Sequence, residues 1–195
     1  MQDLQLPLPH SFYERDTLLV AQDLVGCYLH RRLPETLGGG VLVGRITETE
    51  GYLGEADDAA HTARGRTKRN QVMFGPPGHA YIYLIYGMWW NLNAVTRPEG
   101  TGEGVLIRGI HPISGEEQMR DLRGGRKALA DGPGKLCQAM AITGADYGSD
   151  LSGNTLFITP RTDPVALRAT PRIGIDYAET RHKPWRFIDA REKRR

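Results

Sequence analysis

VLVGRITETE, residues 41–50, decides how the rest of this chain is read. Its residues alternate, with Val41, Val43, Arg45, Thr47 and Thr49 on one side of an extended strand and Leu42, Ile46, Glu48 and Glu50 on the other. An acid therefore closes an otherwise largely apolar face. Such a carboxylate is either solvated at the strand's end or half-buried beside partners, because desolvation raises its pKa. CYLHRRL, residues 27–33, alternates in the same way, and Gly38 to Gly40 supply a turn between the two runs. The expectation is an antiparallel pair that delivers Glu50 to an edge of the sheet.

Upstream, Leu18, Leu19, Ala21, Leu24 and Val25 recur at helical spacing behind Asp16, a residue type that caps helices, and Gly26 marks the stop. Downstream, HTARGRTKRN, residues 61–70, holds Arg64, Arg66, Lys68 and Arg69 and no acid. GPPGH breaks the chain before AYIYLIYGMWWNLNAV, residues 80–95, which reads as two strands joined near Gly87 with Tyr86 at the tip. Tyr81, Tyr83 and Ile85 would share a face. These tyrosines fit either a core and its rim or a pocket and a projecting ring. Cations next to exposed aromatics suit nucleic acid, since Lys and Arg neutralise phosphates while flat rings stack on bases or wedge between them.

In VLIRGI, residues 105–110, Arg108 shares a face with Leu106 and Ile110 and calls for an anion, either a carboxylate such as Glu50 or a phosphate. Ser114 and Glu117 have the spacing of a capping box for a short helix that ends at Gly124 and Gly125. A second helix is expected in DGPGKLCQAMAITG, with Pro133 near its start and Gly144 at its stop. The Gly134-Lys135 pair is not a nucleotide-binding loop, because Leu129 and Leu136 stand where such a loop needs Gly and Ser or Thr. Lys135 beside a helix start still suits one backbone phosphate. SGNTLFITPR reads as a hairpin arm, and a final strand closes PRIGIDYAETRHKPWRF.

At 195 residues, 39% hydrophobic and 25% charged, the chain fits one domain. A chain of this size buries about 70% of its unfolded surface. No apolar run reaches the length of a membrane span, and the first ten residues lack the pattern of a secretory signal. Cys27 and Cys137 make no disulfide framework and no paired-cysteine metal site, so both are expected as buried, reduced thiols in a cytoplasmic protein. Net charge is only +2, but positive residues gather at 64–69, at 120–127 and in the tail from Arg191 to Arg195. That pattern fits a basic face on a near-neutral body, with the tail read as simply solvated. Motifs for a zinc protease, a serine nucleophile elbow or a zinc deaminase do not occur.

RITETEGYLGEADDAAHTARGRTKRNQVMF, followed by GPPGHAYIYLIYGMWWNLN, closely resembles the alkyladenine DNA glycosylase family, also called 3-methyladenine or methylpurine DNA glycosylases. The similarity runs from FYERDTLLVAQDLVG through GEGVLIRGIHP and GPGKLCQAMAI to RIGIDYAETRHKPWRF, nearly the whole chain. It implies a single α+β (mixed α/β) domain over residues 1–195, a curved antiparallel β-sheet surrounded by helices. By the same resemblance, Glu50 falls on a general base that activates water, and Arg108 on the residue that helps to position that water. Tyr52 and His61 on one side and Tyr83 on the other would sandwich an extruded base. Tyr86 would wedge into the gap in the stack, and Asn93 would reject the exocyclic amine of normal guanine.

The chemistry suits these residue types, because breaking an N-glycosidic bond develops positive charge on the sugar that a carboxylate stabilises. No lysine falls on a nucleophile position, so the resemblance implies a monofunctional enzyme that leaves an abasic site. No cofactor and no metal are expected. The partner is double-stranded DNA containing damaged purines such as 3-methyladenine, 7-methylguanine, hypoxanthine or ethenoadenine. The expected setting is the cytoplasm, on the nucleoid of a prokaryote, without membrane or obligate protein partner and as a monomer. Arg64, Arg66, Lys68, Arg69 and Lys135 are the candidates for contact with the DNA backbone. Two rival readings are a non-catalytic binder of DNA damage, which has no use for Glu50 and Arg108 together, and a hydrolase of free nucleosides, which needs no wedge.

Overall fold

A computed structural model describes residues 6–192, so Lys193, Arg194 and Arg195 of the basic tail lie outside the described residues. The two alternating runs pair as expected: β1 (Tyr28–Arg32) lies antiparallel to β2 (Val41–Tyr52), from Tyr28 opposite Arg45 to Arg32 opposite Val41. Gly38, Gly39 and Gly40 all take positive φ in the reversal between them, a run of left-handed backbone that side chains resist. The aromatic stretch forms the hairpin of β3 (Ala80–Ile85) and β4 (Trp89–Thr96), and VLIRGI lies within the long β5 (Glu103–Ser114). The remaining strands are β6 (Leu156–Thr159), β7 (Leu167–Thr170) and β8 (Arg186–Asp189).

All pairings are antiparallel, in the order β3-β4-β5-β2-β1-β6. β2 is central. β5 runs along one of its sides, whereas the other side pairs first with β1 and then, at Glu48 to Glu50, with β8, which in turn carries β7. The expected edge position of Glu50 is thus corrected: the C-terminal segment PWRFID folds back and covers that flank of β2.

Four short α-helices flank the sheet: α1 (His10–Tyr13), α2 (Thr17–Leu24), α3 (Glu116–Leu122) and α4 (Pro133–Ala139). Asp16 caps α2 as expected, accepting from the amides of Leu18 at 3.0 Å and Leu19 at 3.2 Å. α2 packs on β2 and β5, and α4 on β4 and β5. Between them lies one apolar core, to which the sheet contributes Ile46, Ile82, Leu92, Val105 and Ile107. Each such fully buried aliphatic side chain contributes about 1.5–3 kcal/mol.

Two helix boundaries differ from expectation. Ser114 remains in β5 and makes no cap; α3 begins after Gly115, whose left-handed backbone turns the strand into the helix. α4 stops at Ala139, five residues before Gly144, because Ala141 takes a positive φ; Gly144 opens a separate 3-10 turn capped by Thr143 and Asp146. Cys27 and Cys137 are buried and unpaired, and burial pushes the Cys27 thiol up to about 11 and that of Cys137 higher still.

Candidate active site

The site is built by an irregularity that the alternation of residues 41–50 conceals. Ile46 pairs with Ile110, Glu48 with Gly109 and Thr49 with Ile107, so Thr47 and Arg108 are left without opposite numbers. Two offset bulges of this kind reverse the phase of both strands without changing their overall register. Ile46 and Ile110 belong to the core, and so does the side of β2 that Thr49 faces, where its hydroxyl donates to Ala21 O of α2 at 2.7 Å. Glu48 and Glu50 consequently lie on the face opposite Leu42 and Ile46, and Arg108 on the face opposite Ile110. This one feature corrects the face expected to be shared by Glu50 with Leu42 and Ile46 and by Arg108 with Ile110, while Arg108 keeps the face of Leu106, the cross-strand partner of Glu50.

On that second face Arg186, Glu50, Leu106, Asn93 and Tyr81 are successive partners across β8, β2, β5, β4 and β3. Directly opposed residues of an antiparallel sheet project together. The next opposed pair on β3 and β4 is Tyr83 with Asn91. Leu106, Asn93, Tyr81, Tyr83 and Asn91 of these rows line a cavity of about 290 Å³, near the small end of ligand sites, which span about 300–1,000 Å³. Tyr52, His61 and Arg69 contribute from one side, and the segment from Ile173 to Tyr177 from another.

Glu50 is completely buried. Its Oε2 accepts from the Tyr52 hydroxyl at 2.9 Å and from Arg108 Nη1 at 3.2 Å, and its Oε1 from the Ile173 amide at 2.8 Å. All three donors belong to residues that line the cavity. Burial raises the Glu50 pKa, against the opposing pull of Arg108, the Ile173 amide and the Tyr52 hydroxyl. The result is a carboxylate held in place next to a cavity and biased toward accepting a proton. Arg108 has a second anion, since its Nε donates to Glu48 Oε1 at 2.8 Å, and the same oxygen accepts from Arg186 Nε at 2.7 Å. Carboxylates of the protein, not a phosphate, thus satisfy Arg108.

The aromatic residues converge as well. Tyr81 and Tyr83 stack with centroids 5.3 Å apart, and His61 Nδ1 lies 2.9 Å from the Tyr81 hydroxyl. Packing against these rings pulls the His61 imidazole down to about 4, with the Arg69 charge adding to the effect, so it is neutral at pH 7. His61 meets Tyr83 edge to face at 4.5 Å. A flat ring entering between them requires the imidazole to turn. Asn93 is fixed by donation from its Nδ2 to Tyr81 O at 3.1 Å, and Tyr86, 85% exposed with φ 51°, stands on the hairpin tip at the cavity mouth.

Residues 11–193 match the sequence model of the family described as methylpurine-DNA glycosylase (MPG). The chain belongs to that family. As a member it is a DNA glycosylase, a DNA-repair hydrolase acting on N-glycosyl bonds, and DNA is its substrate. It is 50% identical over 187 residues to a protein of Methanocella arvoryzae named "Putative 3-methyladenine DNA glycosylase", covering 93% of this chain and 92% of the relative. Relatives of the same name from Carboxydothermus hydrogenoformans, 45% identical over 92% of this chain and 93% of theirs, and Bacillus mycoides, 46% identical over 92% and 94%, are similar throughout.

The basic residues of the enzyme divide into two groups. Arg64, Arg66 and Lys68 are exposed, while Arg69 lies 5.5 Å over the Tyr83 ring and lines the cavity. Lys135 is ion-paired at 2.9 Å with Asp131, four residues back and just ahead of α4. Sequence reasoning missed Asn91, which donates to the Tyr83 hydroxyl at 3.0 Å, the Ile173 amide, and a buried pair formed by Asp57 and Arg172. The pairing register of the hairpin marks Asn91; an amide and a turn arginine leave no comparable signal. Among the described residues no group of three or more His, Cys, Asp or Glu side chains could hold a metal ion, and no helix is long and apolar enough to cross a membrane.

Proposed function

We propose that the enzyme extrudes an alkylated or deaminated purine nucleotide from duplex DNA into this cavity and hydrolyses its N-glycosidic bond with water activated by Glu50. The observation that carries this reading is the Glu50 carboxylate, buried, raised in pKa and held by three donors from residues that line the cavity. Arg108 helps to position the water, and the carboxylate offsets the positive charge that grows on the sugar as the bond breaks. Tyr52, His61 and Tyr83 hold the base, with His61 turning from its edge-on contact as the ring enters. Asn93, immobilised on Tyr81 O, obstructs the exocyclic amine of guanine. Tyr86 fills the gap in the stack, and Arg64, Arg66, Lys68 and Arg69 lie along the backbone.

3-methyladenine and 7-methylguanine leave readily because their rings already carry positive charge; hypoxanthine and ethenoadenine belong to the same size class. No lysine lines the cavity among the described residues, and the nucleophile is water, so the product is an intact strand with an abasic site. The test is release of free base from duplexes containing hypoxanthine or a methylated purine, followed by alkali, with wild type and Glu50→Gln side by side. Release with alkali-labile sites in wild type, together with binding but no release by the variant, is the expected result. Binding without release by wild type would make the protein a damage binder, and activity on free nucleosides with indifference to duplex and salt would make it a nucleoside hydrolase.

A further inference from the structure

Behind the cavity, Arg172 and Asp57 form an ion pair in which neither side chain is exposed. Arg172 Nη2 donates to Asp57 Oδ1 at 2.7 Å while its Nη1 reaches the second carboxylate oxygen and, at 3.0 Å, Gly51 O. Its guanidinium lies 4.6 Å from the Tyr52 ring centroid and 4.9 Å from that of Trp185. Arg172 does not itself line the cavity, whereas Tyr52 does, so the cation backs the ring from its far side. The residue that follows, Ile173, donates its amide to Glu50. Asp57 in turn accepts from the amides of Leu53 at 3.2 Å and Ala59 at 3.2 Å, and so anchors the loop that leads to His61.

We propose that Arg172, clamped by Asp57, is the positioning residue of this site, setting both the Tyr52 hydroxyl and the Ile173 amide against the Glu50 carboxylate. Stability alone does not call for such a pair, because replacing a buried ion pair by apolar residues of similar volume is often neutral or stabilising. What arginine supplies is a planar fork of fixed donors that grips a carboxylate, a backbone carbonyl and two aromatic faces at once. Two of the three donors to Glu50 hang directly from this fork; the third, Arg108, is held separately by Glu48. The charged and titratable groups that bear on Glu50 are Arg108 of β5, Glu48 and Tyr52 of β2, Tyr83 of β3 and, through Tyr52, Arg172, while Arg186 of β8, opposite Glu50, donates to Glu48. The assignment rests on Glu50 being the base of the proposed reaction.

The experiment compares wild type, Arg172→Lys and the paired change Asp57→Leu with Arg172→Met. Three quantities are read: the single-turnover rate of base release at saturating enzyme, the duplex Kd, and the Glu50 carboxyl titration followed by carbon NMR in the free protein. With the donors loosened, release slows by about a hundredfold, the scale of a small misplacement of reacting groups. Kd changes far less. The Glu50 titration and the acid limb of the rate profile both move to higher pH, because two hydrogen bonds that favour the carboxylate are lost. Arg172→Lys, which keeps the charge but not the fork, falls between. An unchanged rate and titration in variants that merely melt earlier would reduce Arg172 to a brace and overturn the proposal. If wild type releases no base from any lesion duplex, the glycosylase reading of Glu50 fails on its own, and the NMR titration still decides whether Arg172 sets this carboxylate.

Discussion

The two halves of β2 serve different ends. Residues 41–46 lie between β1 and β5 and send Leu42 and Ile46 into the main core, whereas residues 48–52 lie between β8 and β5 and send Glu48, Glu50 and Tyr52 to the cavity face. The same strand is scaffold on one side of Thr47 and chemistry on the other. The reversal costs little in register because β5 reverses with it at Arg108. The comparison teaches that a pair of opposed bulges lets an interior strand turn a carboxylate away from the core, with its backbone held on both flanks.

Substitutions in the two halves should therefore separate activity from stability. The largest effect is expected at Glu50→Gln, which removes the proposed base and should lower the single-turnover rate by about 10² to 10⁴-fold while the duplex Kd is retained. An equal loss of binding would mean that the second half is scaffold too. Ile46→Ala, in the first half, should cost about 2–5 kcal/mol of stability in urea unfolding and leave the rate per folded molecule unchanged. Tyr86→Ala tests the hairpin beyond the strand. Loss of one stacking ring should weaken lesion binding by about 1–3 kcal/mol, read as Kd, with little effect on melting temperature.

The smallest effect concerns pH. Burial raises the Glu50 pKa, so the folded protein holds this proton more tightly than the unfolded chain does. The group's favourable contribution is present at low pH and is lost as pH rises through the raised pKa. The wild-type melting temperature should accordingly fall relative to that of Glu50→Gln as pH rises from 4 toward 8, by about 2–4 °C for each kcal/mol lost, because glutamine does not titrate. In the same scan the wild-type rate falls as pH drops, because the protonated acid cannot accept from water. A difference between the two that stayed constant with pH would contradict the raised pKa of Glu50.

Much of this architecture is legible from alternation and turn chemistry: the pairing of β1 with β2, the aromatic hairpin with Tyr86 at its tip, and the cap at Asp16. Family resemblance assigned Glu50, Tyr52, His61, Tyr83, Asn93 and Arg108, and the structure places the last five around one cavity with Glu50 buried against Tyr52 and Arg108. The phase reversal near Thr47 could not be read, because the residues on both sides of it alternate equally well in either phase. Glu50 therefore looked like a strand-edge acid sharing a face with Ile46. Ser114 matched a capping box, yet pairing with Val43 keeps it in β5. Arg172 sits in a run of turn residues whose local pattern says nothing of Asp57, which is 115 positions away.

The reagents that methylate purines are electrophiles, and a cysteine thiolate attracts them more strongly than a DNA base does. An enzyme of the proposed specificity works in the presence of reagents that would also attack its own thiols. Cys27 and Cys137 lie inside the core, with pKa values raised so far that almost no thiolate exists at pH 7. Among the described residues the molecule offers its attackers no accessible cysteine thiolate.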